Sequence, residues 1–361
     1  MISERAVLGR VKRGELELPP MRFSIRRLAP KADSPFDLIL EGTFAGQSYR
    51  FAGEIRTLAT PKVFAEALAR ARTAPLPPKT LPLLIVPYLS EERLKELQEA
   101  GVSGVDLSGN GVMIVPDRLL VFRTGQPNLF PKSDRIRNVY DGKSSIVARA
   151  FLLGPRYPTV TKLAGSIMET ARVSLPTISK SLFQLEQDLM IARDADGLRL
   201  IQPEKLMDAL ADNYRPPELM VRLVGKATVS ETTLLQGVTK AASRRKERLV
   251  LTGASSVGRY AVIGRESMFS FYCESDPAAL LKDLNASIEV DSPFPNLELL
   301  QTEDERVYFD CQDTRDNRVF ASRIQTWLEL QKGDKRDQEA AAEVRASILR
   351  DIQSKLASKR N

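Results

Sequence analysis

Residues 157–200 constrain this chain most, because two short helical periods and then two strand-like runs follow one another in a fixed order. Thr159 is placed to cap a helix whose Val160, Leu163, Ala164 and Ile167 share one face. The turn Thr170-Ala171-Arg172-Val173 leads to Ser174, a second N-cap. Pro176 follows in the first turn, where its missing N–H costs little. In the next helix Leu175, Ile178, Leu182 and Leu185 recur at three- and four-residue spacing and are expected in the core. Pro176, Thr177, Lys180, Ser181 and Gln184 are then expected to point outward. Residues 189–192 and 198–201 read as strands flanking Arg193-Asp194-Ala195-Asp196-Gly197, where Asp-Gly marks a hairpin.

The order helix, helix, hairpin resembles winged helix-turn-helix domains. The resemblance implies that the second helix enters a DNA major groove, where short polar and cationic side chains suit base edges and phosphates. Thr177, Lys180, Ser181 and Gln184 would face the DNA from that helix, and Arg193 and Arg199 would reach phosphates from the hairpin. Lys162 and Arg172 would hold the backbone around the turn. One such module buries too little surface for tight specific binding, so a homodimer or two copies on an inverted repeat is expected.

Charge is distributed in keeping with this reading. Of 53 Lys and Arg and 46 Asp and Glu, 20 and 13 lie between Lys132 and Val250, an excess of 7. The remainder of the chain holds 33 of each and is balanced. Excess positive charge thus falls where a polyanion would bind. The densest cluster, Ser243-Arg244-Arg245-Lys246-Glu247-Arg248, reads either as a phosphate contact or as a solvated loop.

Composition excludes several kinds of chemistry. With no histidine, Ser-His-Asp and Cys-His catalysis, His-ligated metals and imidazole proton transfer are excluded. Cys273 and Cys311 are too few for a disulfide framework or a zinc cluster, which suits a reducing cytoplasm. The longest apolar candidate, residues 81–89, is short and broken by Pro82 and Pro87, so no membrane span is expected. Residues 1–5 lack a signal-peptide core.

An α/β multidomain protein is expected, divided at residues 1–131, 132–214 and 215–361. In the first segment residues 36–40, 49–55, 83–86, 105–107, 112–115 and 119–122 read as strands. Helices at 61–71 and 90–100, the second capped by Ser90, alternate with them. Ser144 opens a helix to Leu153 in the second segment, and Pro216-Pro217 marks its end. In the third, residues 249–251, 270–273 and 306–309 read as strands, and 280–282 and 337–360 as helices.

Four phrases, in order along nearly the whole chain, resemble the AbiEi-like antitoxin and transcriptional regulator family of bacterial type IV toxin–antitoxin systems. They are Leu83-Leu84-Ile85-Val86-Pro87-Tyr88-Leu89-Ser90 with Val105-Asp106-Leu107-Ser108-Gly109-Asn110, the helix–helix–hairpin unit, Leu251-Thr252-Gly253-Ala254-Ser255-Ser256, and residues 321–330 leading to Glu339-Ala340-Ala341. The resemblance implies a bacterial repressor of its own promoter. It also implies double-stranded operator DNA as partner, no cofactor, no enzymatic activity and no direct binding to a toxin.

Two further resemblances concern the flanking segments. The first is similar to a nuclease core, with Asp37 and Glu54-Ile55-Arg56 at its Asp and Glu-x-Lys positions. Arg56 replaces the lysine and cannot give up a proton as a base. A degenerate nuclease-like domain is therefore expected, with a metal-dependent nuclease using Asp37 and Glu54 as the alternative. The last segment is similar to a minimal nucleotidyltransferase fold, with Gly253-Ala254-Ser255 at the phosphate turn and Glu274 and Asp276 nearest the metal-binding pair. Asn110, in Ser108-Gly109-Asn110-Gly111, reads as a turn residue with a left-handed backbone rather than a ligand contact, buttressed by Asp106. Trp327, the single tryptophan, reads as core.

Overall fold

In this computed structural model the described residues are 3–28, 34–57, 60–130, 138–261, 268–282, 288–290, 292–313 and 319–357. The expected boundary at 131/132 and the end of the tail helix at 358–360 lie outside them. The chain is a mixed α/β protein, with three sheets among the described residues. It divides into two compact units, Met1–Ile136 and Arg137–Asn361.

Continuous apolar runs and side-chain caps explain the N-terminal unit. Its seven strands lie in chain order: Arg22–Leu28, Leu38–Phe44, Gln47–Ile55, Thr80–Val86, Ser103–Asp106, Gly111–Val115 and Leu119–Arg123. The central strands pair in parallel and the outer ones antiparallel. Successive residues of the 83–86 run enter opposite layers. Leu83 and Ile85 join Val7 and Val11 of the Glu4–Lys12 helix, whereas Leu84 and Val86 join Phe64, Leu94 and Leu97. A strand covered by helices on both faces is apolar without alternation for this reason. Thr60 and Ser90 cap the helices Pro61–Thr73 and Glu91–Glu99.

The Asp106–Asn110 turn is structural. Asp106 Oδ1 accepts from the Ser108 and Asn110 N–H groups at 2.8 and 2.7 Å. Its Oδ2 accepts from Leu89 N and Asn110 Nδ2, both at 2.8 Å. Gly109 carries the left-handed backbone, with φ of 94°; Asn110 does not, and acts instead through its side chain, whose Oδ1 accepts from Gln126 N at 2.8 Å.

The C-terminal unit has one continuous core across the expected division at 214/215. Phe151, Leu163, Ile178, Leu185, Leu198 and Leu206 share a cluster with Ile324, Trp327, Leu328, Val344 and Ile348. The helix Ser145–Leu153 lies inside it, and its fully buried Arg149 donates to Arg306 O at 3.1 Å and Gln325 Oε1 at 2.6 Å. The Lys335–Ala357 helix is charged in sequence, yet Ala340, Ala341, Val344, Ile348 and Ile352 form a buried stripe along it. Trp327 is core, at 1% exposure.

The unit's larger sheet runs Ile288–Val290, Val221–Ala227, Leu297–Gln301, Phe269–Cys273, Leu249–Leu251, Val319–Phe320 and Gln312–Asp313. Of residues 306–309, expected as a strand, the first three belong to a short helix, Glu305–Tyr308, and Phe309 follows it in extended backbone. Asp304 decides this locally: its carboxylate accepts from Arg306 N at 3.0 Å and nucleates a helical turn. The strand of that region is Leu297–Gln301, whose Leu297, Leu299 and Leu300 are buried.

Candidate nucleic-acid interface

Local sequence rules build the helix pair. Thr159 Oγ1 accepts from Lys162 N at 3.2 Å to start Val160–Met168, and Ser174 Oγ accepts from Thr177 N at 3.4 Å to start Leu175–Gln187. Leu163, Ala164 and Ile167 of the first meet Ile178, Leu182 and Leu185 of the second. The second helix ends at Asp188, where Leu189 takes a left-handed φ of 56° and Met190 N donates to Leu185 O. That reversal delays the hairpin to Ile191–Asp194 and Gly197–Leu200, two residues later than expected for its first strand. A third strand, Arg156–Tyr157, pairs with Gly197–Leu200. Gly197 has φ of 114°, and a Cβ there would lie 2.3 Å from Tyr157 O, so only glycine fits.

The outward stripe of the second helix differs from the expected one. Leu175, Pro176, Ser179, Lys180 and Phe183 are exposed, with Leu175 at 55% and Phe183 at 61%. Thr177 is half-buried and its hydroxyl lies 2.9 Å from that of Ser174. Ser181 is buried, because it falls three residues after Ile178 and four before Leu185 on the core face. Gln184 is buried too, donating from Nε2 to Asp188 Oδ1 at 2.7 Å, while Asp188 also accepts from the Tyr140 hydroxyl. Burial pushes the Asp188 carboxyl above its ordinary value, against the lowering effect of these two donors. Neither Ser181 nor Gln184 is placed to read a base. Leu175 leaves the core because it is the first helical residue, beyond the packed turn. The signal for Ser179 and Phe183 was the same period, since they lie four and eight residues on from the exposed Leu175.

The cations fall into two groups. Lys162 and Lys180 are exposed, and neither enters an ion pair among the described residues. Arg193 lies 4.0 Å from Glu186 and Arg199 lies 3.8 Å from Asp194, both arginines about half exposed. Such surface pairs hold a side chain by about 1 kcal/mol at most and leave it free to meet a phosphate. Arg172 is different. Its backbone N–H donates to Glu305 Oε2 at 3.0 Å, and its guanidinium lies 3.3 Å from Glu274. It anchors the turn to the rest of the unit.

Arg248 completes that anchor. It donates to Glu274 at 2.8 Å and to both oxygens of Glu305 at 3.0 Å, and stacks 4.2 Å from the Tyr308 ring centroid. Burial raises the Glu274 and Glu305 carboxyls, but hydrogen bonds from Arg248 and the charge of Arg172 outweigh it and hold both below the ordinary value. Glu274 is therefore an arginine partner rather than half of a metal-binding pair. Arg245 donates to Ala279 O at 3.0 Å, so two members of the densest basic run serve the fold.

In the N-terminal unit Asp37 and Glu54 lie at adjacent positions of paired strands, beside the Leu38↔Gly53 register. Asp37 Oδ2 accepts from Ile55 N at 2.6 Å, and Glu54 is ion-paired to Arg56 and, at 2.9 Å, to Arg70. Burial raises the Glu54 carboxyl, with the two arginines opposing. A divalent cation between these carboxylates would face two guanidinium groups. Among the described residues, no three His, Cys, Asp or Glu side chains converge as a metal site, and no helix is long and apolar enough to cross a membrane.

Comparison with protein-family models, curated proteins and solved structures finds no match.

Proposed function

We propose that this protein is a sequence-specific DNA-binding transcriptional regulator, a repressor acting through a winged helix-turn-helix module. The observation that carries the reading is the exposed stripe of Leu175–Gln187 around Lys180, whose one acidic neighbour, Glu186, is half-buried and turned to Arg193, with Lys162, Arg193 and Arg199 exposed. Thr177, Ser179 and Lys180 would meet base edges and phosphates, and Leu175 and Phe183 would meet thymine methyl groups. Arg193 and Arg199 would contact phosphates from the wing. Arg172 positions the turn through its backbone N–H, and its guanidinium, 74% exposed, would reach a phosphate beside the turn.

The finer assignments belong to the same proposal. The N-terminal unit is a degenerate nuclease-like domain, and the large sheet of the C-terminal unit is a nucleotidyltransferase-like module serving as scaffold. With the sequence resemblance, this makes the chain an antitoxin-like bacterial regulator that represses its own promoter as a homodimer in the cytoplasm, without touching a toxin. The nuclease alternative is weakened by the arginine pairs at Glu54. Incubation of plasmid with Mg²⁺ or Mn²⁺ tests it; nicking that vanishes in Asp37→Ala would restore it.

The regulator reading is tested by fluorescence anisotropy with a duplex carrying the region upstream of the protein's own gene and a shuffled duplex. At moderate salt the first is expected to bind roughly 10³-fold more tightly. Equal affinity for the two would end the proposal.

A further inference from the structure

One face of the N-terminal sheet carries cations where the helices leave it open. The pairing registers set three rows across its strands: Arg22–Thr43–Ser48, Ser24–Glu41–Arg50–Thr80 and Arg27–Ile39–Ala52–Pro82. Alternation turns these residues to the side opposite the core of Phe23, Leu40 and Phe51. The helices Pro61–Thr73 and Glu91–Glu99 cover that side only over Leu84 and Val86. Ile39 and Ala52 are closed over by Phe36 and Leu76. Beyond them Arg22, Ser24, Arg27, Ser48 and Arg50 are exposed. A register shift between Ile25 and Arg27 adds the exposed Arg26 to the same edge. Arg26, Arg27 and Arg50 line an open cleft of about 540 Å³ walled by Ile39, Pro77 and Pro78, and Lys79 stands exposed next to it.

Charge and spacing select the occupant. Glu41, the one carboxylate on these rows, is ion-paired to Arg26. Arg22, Arg27, Arg50 and Lys79 enter no ion pair among the described residues, so four positive charges stay unneutralised. Protection of an open sheet edge would account for charge on Arg22–Leu28, an outer strand. It does not account for Arg50, on an inner strand, or for Lys79, which precedes another. The opposite outer strand, Leu119–Arg123, exposes Leu120 and Phe122 instead. Strand dimensions set Arg22 and Arg27 roughly 15 Å apart along their strand, with Arg50 roughly 10 Å across the sheet. That spread is too wide for one small anion and suits a run of phosphates. Ser24, Thr43, Ser48 and Thr80 place hydroxyl donors among the cations, a type that meets phosphate oxygens. The rows hold no aromatic ring on which a single strand could stack its bases. A duplex backbone is the polyanion that fits.

We infer that this face is a second DNA-contacting surface, which holds the phosphate backbone of a duplex without reading its sequence. Arg22, Arg27, Arg50 and Lys79 neutralise phosphates, and the hydroxyls donate to their oxygens. The attraction for a phosphate backbone follows from these residues alone. That the duplex is one also read by the helix pair rests on the DNA-binding reading above.

Fluorescence anisotropy of the full chain over a salt series tests it, with the upstream duplex and its shuffled counterpart each extended by about two helical turns, roughly 21 base pairs, at both ends. Changing Arg22→Ala, Arg27→Ala and Arg50→Ala together is expected to weaken binding to both duplexes at least about tenfold and to reduce the salt slope by between about two and three. The ratio of the two affinities should stay within about twofold of the parent's. Arg22→Lys, Arg27→Lys and Arg50→Lys together should keep the parent slope, because neutralising phosphates needs charge and not a guanidinium. A parental slope in the alanine variant, a loss confined to the upstream duplex, or a lysine variant that behaves like the alanine one would each overturn the inference. If the parent binds the two duplexes equally while the alanine variant still loses slope, the regulator proposal falls and this inference stands.

Discussion

Two basic regions of the C-terminal unit carry their charge to opposite ends. In the 243–248 run, cations are dense in sequence, and Arg244 and Lys246 are exposed, yet Arg245 caps a backbone carbonyl and Arg248 is locked between two carboxylates and a tyrosine ring. Around the helix pair, Lys162, Lys180, Arg193 and Arg199 are spread over nearly forty residues of chain, and all four side chains face solvent. Linear charge density therefore says little about the field available to a polyanion. What matters is how many charges remain unneutralised on one surface.

The largest expected effect tests the internal side of that contrast. Arg248→Ala leaves Glu305, at 4% side-chain exposure, without its main partner. A loss of about 3 kcal/mol in urea unfolding is expected, the low end for breaking a buried pair because Arg248 itself is partly exposed. An unfolding curve like the parent's would show that the cluster holds nothing together. Next, reversing Lys162 and Lys180 together to Glu should weaken operator binding about 100-fold and flatten the salt dependence by about two units of slope. Unaltered slope would mean these lysines meet no phosphate.

The acid response is smaller and its sign is fixed. Glu274 and Glu305 are held below the ordinary carboxylate value in the fold, so their contribution is complete above that ordinary value and is lost as pH falls through their lowered values. Removing Arg172, at 74% exposure, should lessen this acid sensitivity only slightly, by a few tenths of a kcal/mol. A melting series between neutral and acid pH, run on both proteins, reads the difference. Gln184→Ala is expected to cost about 1 kcal/mol of stability through the lost bond to Asp188, leaving sequence preference intact. A relaxed preference would place Gln184 back at the DNA. Smallest of all, removing Arg244 and Lys246 together should change operator affinity by less than about twofold, since neither adjoins the helix stripe in sequence or strand pairing.

How much of this was legible depends on the range of the interaction responsible. Caps at Thr159, Ser174 and Ser90 are satisfied within three residues, and each starts its helix where the sequence put it. The 83–86 run, with its continuous apolar character, announced a strand buried on both faces. The strand Val221–Ala227 and the helix Glu231–Arg245 were not read, because neither carries a clean period: the first mixes Arg222 and Lys226 with small apolar residues. Residues 306–309 misled because Val307, Tyr308 and Phe309 look like a strand, while one aspartate cap turns the first two into a helix.

Sequence by itself determined the helix pair, its hairpin and the α/β character of both flanking regions, since caps, turn residues and hydrophobic period act over a few residues. Helical period already places Ser181 inward and Ser179 and Phe183 outward; only the tertiary structure decided that Gln184, on the flank of that face, is buried beside Asp188 and Tyr140. It alone decided that Arg172 and Arg248 are bound by Glu274 and Glu305, and that the core of the helix pair continues to Trp327 and Val344. These outcomes hang on partners more than a hundred residues away for Arg172 and the core, and on which carboxylate folding brings beside which guanidinium.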